Sequence, residues 1–364
     1  ESRPFATLCR EEYGRQIPAE NRFPSSAGGK GFGPIADEIH AMGLKFGIHI
    51  MRGIPRQAVH AHMPVLGTEV TADRIASPFS ISKWNGDMYG VDASKPGAQA
   101  YYDSIFQLYA SWGVDFVKVD DICNTNLYID NPYSASREVE MIAKAIQNCG
   151  RDMVLSLSPG PAVIEEAWHL KTYANMWRMT DDFWDKWELL RNMFFRCELW
   201  QSHVGAGSWP DCDMLPLGKI GIGFRHPRMT NFTKDEQITM MTLWSVFRSP
   251  LMVGGDLPQN DEWTLSLLTN DEVIADNQQG ANPRLLEKTE DFRLWASDAP
   301  DGGLYLAGFN LSEEEKTFSL PLGDLEKTDA AARDLWAHRD LGTAPGEAVI
   351  PAHGSFLWKL TKAN

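Results

Sequence analysis

The segment Asp115-Phe-Val-Lys-Val-Asp120-Asp121 narrows the fold more than any other stretch of this chain. It is an apolar run that reads as a buried parallel strand and then breaks off in carboxylates. In an α/β barrel the end of such a strand faces the active site, so an acid there is placed for chemistry rather than for packing. A second cluster, Trp177-Arg178-Met-Thr-Asp181-Asp182, closes a later strand in the same way. Two carboxylates on two strand ends are the minimum apparatus for cleaving a glycosidic bond. Acids also stand at strand ends for a plainer reason, to bond local backbone and cap the next helix. Here each cluster carries a cation within a few residues, Lys118 and Arg178, and the repetition favours chemistry.

Along the chain, strands alternate with helices, the pattern of a parallel sheet with helices outside it. Residues 44–50 read as a strand, followed by a Gly- and Pro-punctuated loop from 51 to about 96. Then come a helix over Ala98–Ser111, the strand ending at Asp120, a helix over Ser136–Asn148, a strand over 152–158 and one ending near Thr180. Residues 184–202 have helical periodicity, with Trp187, Leu190, Phe194 and Leu199 expected on a core face. A strand and loop over 204–214, a helix over Lys234–Phe247 and an apolar strand over 250–254 complete a (β/α) barrel assigned to residues 1–283.

From there the pattern changes to short, partly alternating segments such as Phe292-Arg-Leu-Trp-Ala and Gly354-Ser-Phe-Leu-Trp. Residues 284–364 therefore read as an antiparallel β-sandwich of about 80 residues. Six barrel strands can be placed, whereas a closed (β/α)8 TIM barrel has eight. The expectation is that the first two strands lie upstream of Glu1 and are missing from the given chain. The first 43 residues offer one helix, near 33–42, and no buried strand.

Composition excludes several classes of function. With 364 residues, 43% of them hydrophobic, the chain can bury one large core and still supply a small second domain. A formal net charge of −15 argues against nucleic acid as a partner. No apolar run approaches the roughly 20 residues that membrane insertion requires. Thirteen Trp suit a sugar-binding protein, because aromatic faces are what sugar rings stack against, although most Trp in any chain are core. The cysteines, Cys9, Cys123, Cys149, Cys197 and Cys212, show no paired spacing, so no metal and no other cofactor is expected. The sequons at Asn231 and Asn310 read as chance matches. A secreted or periplasmic location is favoured over a cytoplasmic one, and a homo-oligomer is compatible with everything above.

Five motifs in order then support a family. They are Gly43-Leu-Lys-Phe-Gly-Ile, Ser111-Trp-Gly-Val-Asp-Phe-Val-Lys-Val-Asp120, Trp177-Arg178 with Asp182 four residues on, Gly207-Ser-Trp-Pro-Asp211-Cys-Asp213-Met214-Leu, and Ser249-Pro-Leu-Met. Together they resemble the retaining glycosidases of glycoside hydrolase family 27, which includes α-galactosidases and α-N-acetylgalactosaminidases. The resemblance implies Asp120 as the nucleophile and Asp182 as the acid/base. It also implies Lys118 and Arg178 as sugar-hydroxyl ligands, Asp213 and Met214 as the wall beside the acid/base, and Trp209 as a lining residue of the same pocket.

Physical chemistry supports the two central roles. Lys118, two residues from Asp120 on one strand face, keeps a nucleophile ionised, and crowding by Asp181 and Asp213 would raise an acid at Asp182. Departures from the family pattern bear on the sugar. The pair of acidic ligands usual on the second strand is not in the given chain, Asp181 replaces a small residue, and His49 stands where an aromatic is common. Ser158 and Ala162 are expected to leave room near the sugar's 2-position, wide enough for an acetamido group.

The first expectation is therefore a retaining exo-glycosidase acting on terminal α-D-galactose of a glycoside or oligosaccharide. α-N-Acetylgalactosamine and β-L-arabinopyranose are the variants. A catalytically inactive sugar-binding relative and a divergent barrel isomerase or lyase are the alternatives.

Overall fold

Val117, Val119, Leu155 and Leu157 are almost wholly buried, and they mark the centre of a parallel sheet. The computed structural model describes residues 8–224 and 226–362. It divides into two units, one ending at Arg178 and one beginning at Met179. In the first unit the strands Gly47–Met51, Phe116–Asp120, Val154–Leu157 and Met176–Arg178 lie side by side in that order. Met51 stands opposite Asp120, and Lys118 opposite both His49 and Ser156. Helices Ala98–Ser111, Ser136–Asn148 and Ala167–Tyr173 connect successive strands, which is the βα repeat of a TIM barrel. The two longer helices have the bounds that periodicity predicts. Ala98–Ser111 buries Tyr101, Tyr102, Ile105, Phe106 and Tyr109, spaced at three and four residues to form one face.

Residues 51–96 depart from the expected loop. They contain the strands Ile54–Pro55, Ala76–Ile81 and Met88–Val91, joined antiparallel with the last of these in the middle. The first strand is two residues long and the pairing of the second slips between Ser77 and Ile81, so no period-two signal survives in the sequence. Gly53 makes this sub-sheet possible. Its φ is +89°, and a Cβ there would stand 2.0 Å from the Tyr89 carbonyl oxygen.

In the second unit, Met179 N–H donates to the carbonyl of Asp211, which ends the strand Trp209–Asp211. Met214–Leu215 pairs in parallel with Met252–Val253, shorter than the apolar run over 250–254 suggests. The helix expected over 184–202 is Trp187–Trp200, and its core face is Leu190, Met193, Phe194, Cys197 and Trp200. Leu199, expected on that face, is 43% exposed, because it falls one position short of the buried Trp200.

Helix Lys234–Phe247 starts at a capping box. Thr233 Oγ1 accepts from Glu236 N–H at 3.2 Å, and Glu236 Oε2 accepts from Thr233 N–H at 2.8 Å. Helices Glu262–Leu268 and Asp271–Gln279, capped by Asp261 and Asn270, follow, additional to the elements expected from sequence.

The C-terminal region is antiparallel throughout. Six strands run in the order Ala281–Lys288, Phe292–Asp298, Leu304–Asn310, Ser355–Thr361, Ala331–Asp334 and Arg339–Thr343. A second sheet pairs Lys316–Ser319 with Glu347–Ile350. Phe292, Leu294, Leu306, Ile350, Trp358 and Leu360 form the core. The boundary expected at 283/284 thus falls inside the first strand.

Asn310 ends the third of these strands, fully buried. Its Nδ2 donates to the carbonyls of Glu314, Ile350 and Pro351 at 2.7 to 2.9 Å, and its Oδ1 accepts from Ser312.

Candidate active site

The strand Phe116–Asp120 buries Val117 and Val119 on one face and turns Phe116, Lys118 and Asp120 to the other. That alternation brings Lys118 and Asp120 together at the end where the strand delivers its carboxylate. Asp120 Oδ1 accepts the N–H of Asp121 at 2.8 Å and the hydroxyl of Ser158 at 3.1 Å. Asp120 Oδ2 stands 3.3 Å from His49 Nε2. Burial pushes this carboxyl up. The hydrogen bond and charge of His49, the Asp121 N–H and the charge of Lys118 outweigh burial and hold it below the usual range. An acid so placed is ionised at any ordinary working pH.

Two sequence expectations gain a different physical content here. Ser158 is fully buried, with its hydroxyl on Asp120, so it helps to orient that carboxylate. Ala162 is buried as well, its N–H donating to the carbonyl of Arg178 at 2.9 Å. His49 is 57% exposed and reaches both solvent and Asp120. Arg178 is buried at the end of its strand.

Asp121 faces away from Asp120, into the protein. It takes a left-handed backbone conformation, with φ +58°, and its carboxylate pairs with Arg52 at 3.0 Å. Sequence reasoning passed over Arg52, Glu138 and Tyr102, which complete this buried group. The one available signal was Arg52 itself, a charge directly after an apolar strand.

In the second unit, residues 181–186 run without helix or strand, and Asp182 is exposed on them while Phe183 is buried. Two neighbouring carboxylates fix this segment. Asp181 Oδ1 accepts the N–H of Asp182, and Asp213 Oδ2 accepts the N–H of Phe183, both at 2.8 Å. Asp181 and Asp213, expected to crowd Asp182, therefore turn an oxygen to the backbone on either side of it.

Asp213 is itself held in a left-handed conformation, φ +75°, with its N–H on Asp211 Oδ1 at 2.8 Å and its carbonyl accepting from Trp244 Nε1 at 3.2 Å. Met214 follows it on the paired strand, packed against Gly254. Ser249, from the Ser-Pro-Leu-Met motif, accepts the N–H of Cys212 at 3.0 Å and so ties that motif to this one.

Trp209 requires a correction. Its ring lies under the Arg248 guanidinium at 4.9 Å, and Arg248 is anchored on the carbonyls of Asn277 and Gln278. Arg248 follows the C-terminal end of helix Lys234–Phe247, and barrel helices run antiparallel to their strands. Trp209 thus sits where its strand begins, at the opposite end of that strand from Asp211. Trp209 is half-buried there, covered by Arg248.

Among the described residues, no group of three or more His, Cys, Asp or Glu side chains is placed to hold a metal ion. What the chain presents is a pair of acids in unlike settings. One is bonded and accompanied by cations, the other exposed on a braced loop.

Two family models match the chain, alpha galactosidase A over residues 85–279 and the alpha galactosidase C-terminal beta sandwich domain over residues 289–360. Among solved structures, a family 27 β-L-arabinopyranosidase of Geobacillus stearothermophilus is 57% identical, with a TM-score of 0.95 over 100% of this chain and 84% of its own. A candidate α-N-acetylgalactosaminidase of Bacillus halodurans C-125 is 51% identical, with a TM-score of 0.88 over 99% of this chain and 85% of its own. An α-galactosidase of Cyamopsis tetragonoloba is 27% identical over 364 residues, covering 98% of this chain and 75% of the relative. With the TIM-barrel and β-sandwich architecture described above, these matches identify the chain as a glycoside hydrolase belonging to family 27.

Proposed function

We propose that this enzyme is a retaining exo-glycosidase for terminal sugars with the ring configuration of α-D-galactose. Asp120 is the nucleophile and Asp182 the acid/base. The observation that carries the assignment is the set of groups on Asp120, an N–H, a hydroxyl and an imidazole, with Lys118 beside them. They keep the carboxylate ionised and aimed. Asp120 attacks the anomeric carbon as Asp182 protonates the departing oxygen, giving a covalent glycosyl-enzyme. Asp182 then takes a proton from water, which attacks the same carbon and restores the original anomer.

α-D-Galactosides are the expectation from sequence. β-L-Arabinopyranose has the same ring and anomeric configuration without the C6 hydroxymethyl group, and likeness to the Geobacillus enzyme favours it as the better substrate. An α-N-acetylgalactosaminide is the reading that the Bacillus relative supports. Nitrophenyl glycosides of the three sugars rank them, and proton NMR of the first-formed product reads the anomer. Retention with fastest release from the β-L-arabinopyranoside is the expected result. A first product of inverted configuration would remove the mechanism, and hydrolysis of the acetamido sugar alone would remove the choice of ring substituent.

A further inference from the structure

Behind Asp120, four side chains that the proposed chemistry does not use are joined in one hydrogen-bonded chain. Arg52 follows the strand Gly47–Met51 and donates its backbone N–H to the Asp120 carbonyl at 3.0 Å. Its side chain then grips the next residue twice. Nε donates to the Asp121 carbonyl oxygen at 2.5 Å, and Nη2 lies 3.0 Å from Asp121 Oδ2. Nη1 donates to Glu138 Oε1 at 2.9 Å, from helix Ser136–Asn148. The Tyr102 hydroxyl, from helix Ala98–Ser111, donates to Glu138 Oε2 at 2.5 Å and accepts from Gly53 N–H at 3.0 Å. The Arg52 and Asp121 side chains are each only 2% exposed.

Burying one cation with two carboxylates is a poor way to stabilise a fold, since apolar side chains of the same volume commonly do as well or better. The arrangement has a different use, visible in the backbone. Asp121 sits in the left-handed region, and its N–H is the donor on Asp120 Oδ1. Because Arg52 holds both the carbonyl and the carboxylate of Asp121, it fixes the direction of that N–H.

We propose that Arg52, braced by Glu138 and Tyr102, is a positioning residue that locks Asp121 so that its N–H aims the nucleophilic carboxylate. The Asp121 carboxyl, one peptide away, then tunes that carboxylate by taking up or releasing a proton. This rests on the reading of Asp120 as the nucleophile. The charged and titratable groups facing Asp121 are Asp120 beside it, Arg52 from the turn after the first strand and Glu138 from the helix. The Ser82 hydroxyl also reaches it. Burial, with repulsion from Asp120 and Glu138, overcomes the attraction of Arg52 and pushes the Asp121 carboxyl up to about 7. Once ionised, Asp121 puts a second negative charge beside Asp120. That makes Asp120 a stronger nucleophile and favours the positive charge that develops at the anomeric carbon.

The test uses a 2,4-dinitrophenyl glycoside of the preferred sugar, whose leaving group departs without protonation and so silences the acid/base. Wild-type kcat/KM is expected to step upward as pH passes about 7. Asp121→Asn keeps a residue that tolerates the left-handed conformation and should abolish the step. Glu138→Gln removes a repelling charge and should move the step to lower pH. Arg52→Lys retains charge without the planar fork and should lower kcat about a hundredfold with KM little changed.

A step that persists at the same pH in Asp121→Asn would overturn the tuning, and wild-type kcat in Arg52→Lys would overturn the positioning. Asp120→Gly with added azide separates this proposal from the reading beneath it. Rescue with formation of the glycosyl azide supports Asp120 as nucleophile, whereas failure of rescue moves the nucleophile elsewhere and takes the proposal with it.

Discussion

Asp120 and Asp121 are chain neighbours with opposite electrostatic settings, one held below the ordinary carboxylate range and the other pushed up to about 7. The difference comes from the company each keeps. Asp120 collects N–H, hydroxyl and imidazole donors, whereas Asp121, less exposed to solvent, has the Ser82 hydroxyl and a guanidinium that it shares with Glu138. Since His49 supplies the largest contribution opposing burial at Asp120, His49→Ala should raise this carboxyl. The acidic limb of kcat/KM would then shift to higher pH, because protonation of the nucleophile begins sooner on acidification. A limb unmoved in His49→Ala would show that Lys118 and the Asp121 N–H suffice. Asp120 and Lys118 could be read from sequence, because a strand's period of two puts them on one face. The Arg52 group could not, since its members are spread from residue 52 to 138 and meet only through the barrel's packing.

At the scale of elements, helices were more legible than strands. Ala98–Ser111 and Ser136–Asn148 have their predicted bounds because each has a periodic apolar face long enough to stand out, whereas Lys234–Phe247 has its predicted bounds although it is buried on every side from Thr239 to Phe247. The barrel strands are two to five residues long, and their apolar runs overshoot the hydrogen-bonded ladder, as in 152–158 against Val154–Leu157. Residues 51–96 look like loop in the sequence because their ladders form between short segments with an irregular register. The capping box of Lys234–Phe247 offers a clean test of an element's own contribution. Thr233→Ala removes the acceptor for Glu236 N–H and should cost about 1 kcal/mol of stability, read as a lower midpoint in urea at unchanged slope. A loss near zero would mean that Glu236, which also meets His353 at 2.9 Å, holds the helix start unaided.

At the scale of the whole molecule, the sandwich is built onto the last helices of the second unit. Thr239 donates to the carbonyl of His353, Trp336 Nε1 to Thr242, and Asn270 to the carbonyl of Leu335. Asp276 is part of this junction. It is fully buried on helix Asp271–Gln279, takes the Ser297 hydroxyl at 2.5 Å from the sandwich, and is pushed by burial up to about 7. Its pKa in the folded state thus lies above that of the unfolded chain. The associated stability is fully present below about pH 4 and is lost as pH rises through about 7. Asp276→Asn should remove this dependence, gaining up to about 4 kcal/mol on wild type in the alkaline range, read from thermal midpoints across pH. Parallel midpoint curves for the two proteins would count against a proton at Asp276.

Asn310 carries a practical consequence for making the protein. Its amide is occupied on three carbonyls in the interior, so an oligosaccharyltransferase could reach it only before the sandwich closes. A glycan added then would leave no room for those bonds. Production through a eukaryotic secretory route should therefore give either an unmodified Asn310 or a misfolded fraction that is retained, and Asn310→Gln would not be a harmless way to delete the sequon. Asn231, exposed ahead of the capping box, is the site where a sugar could be carried on the finished protein.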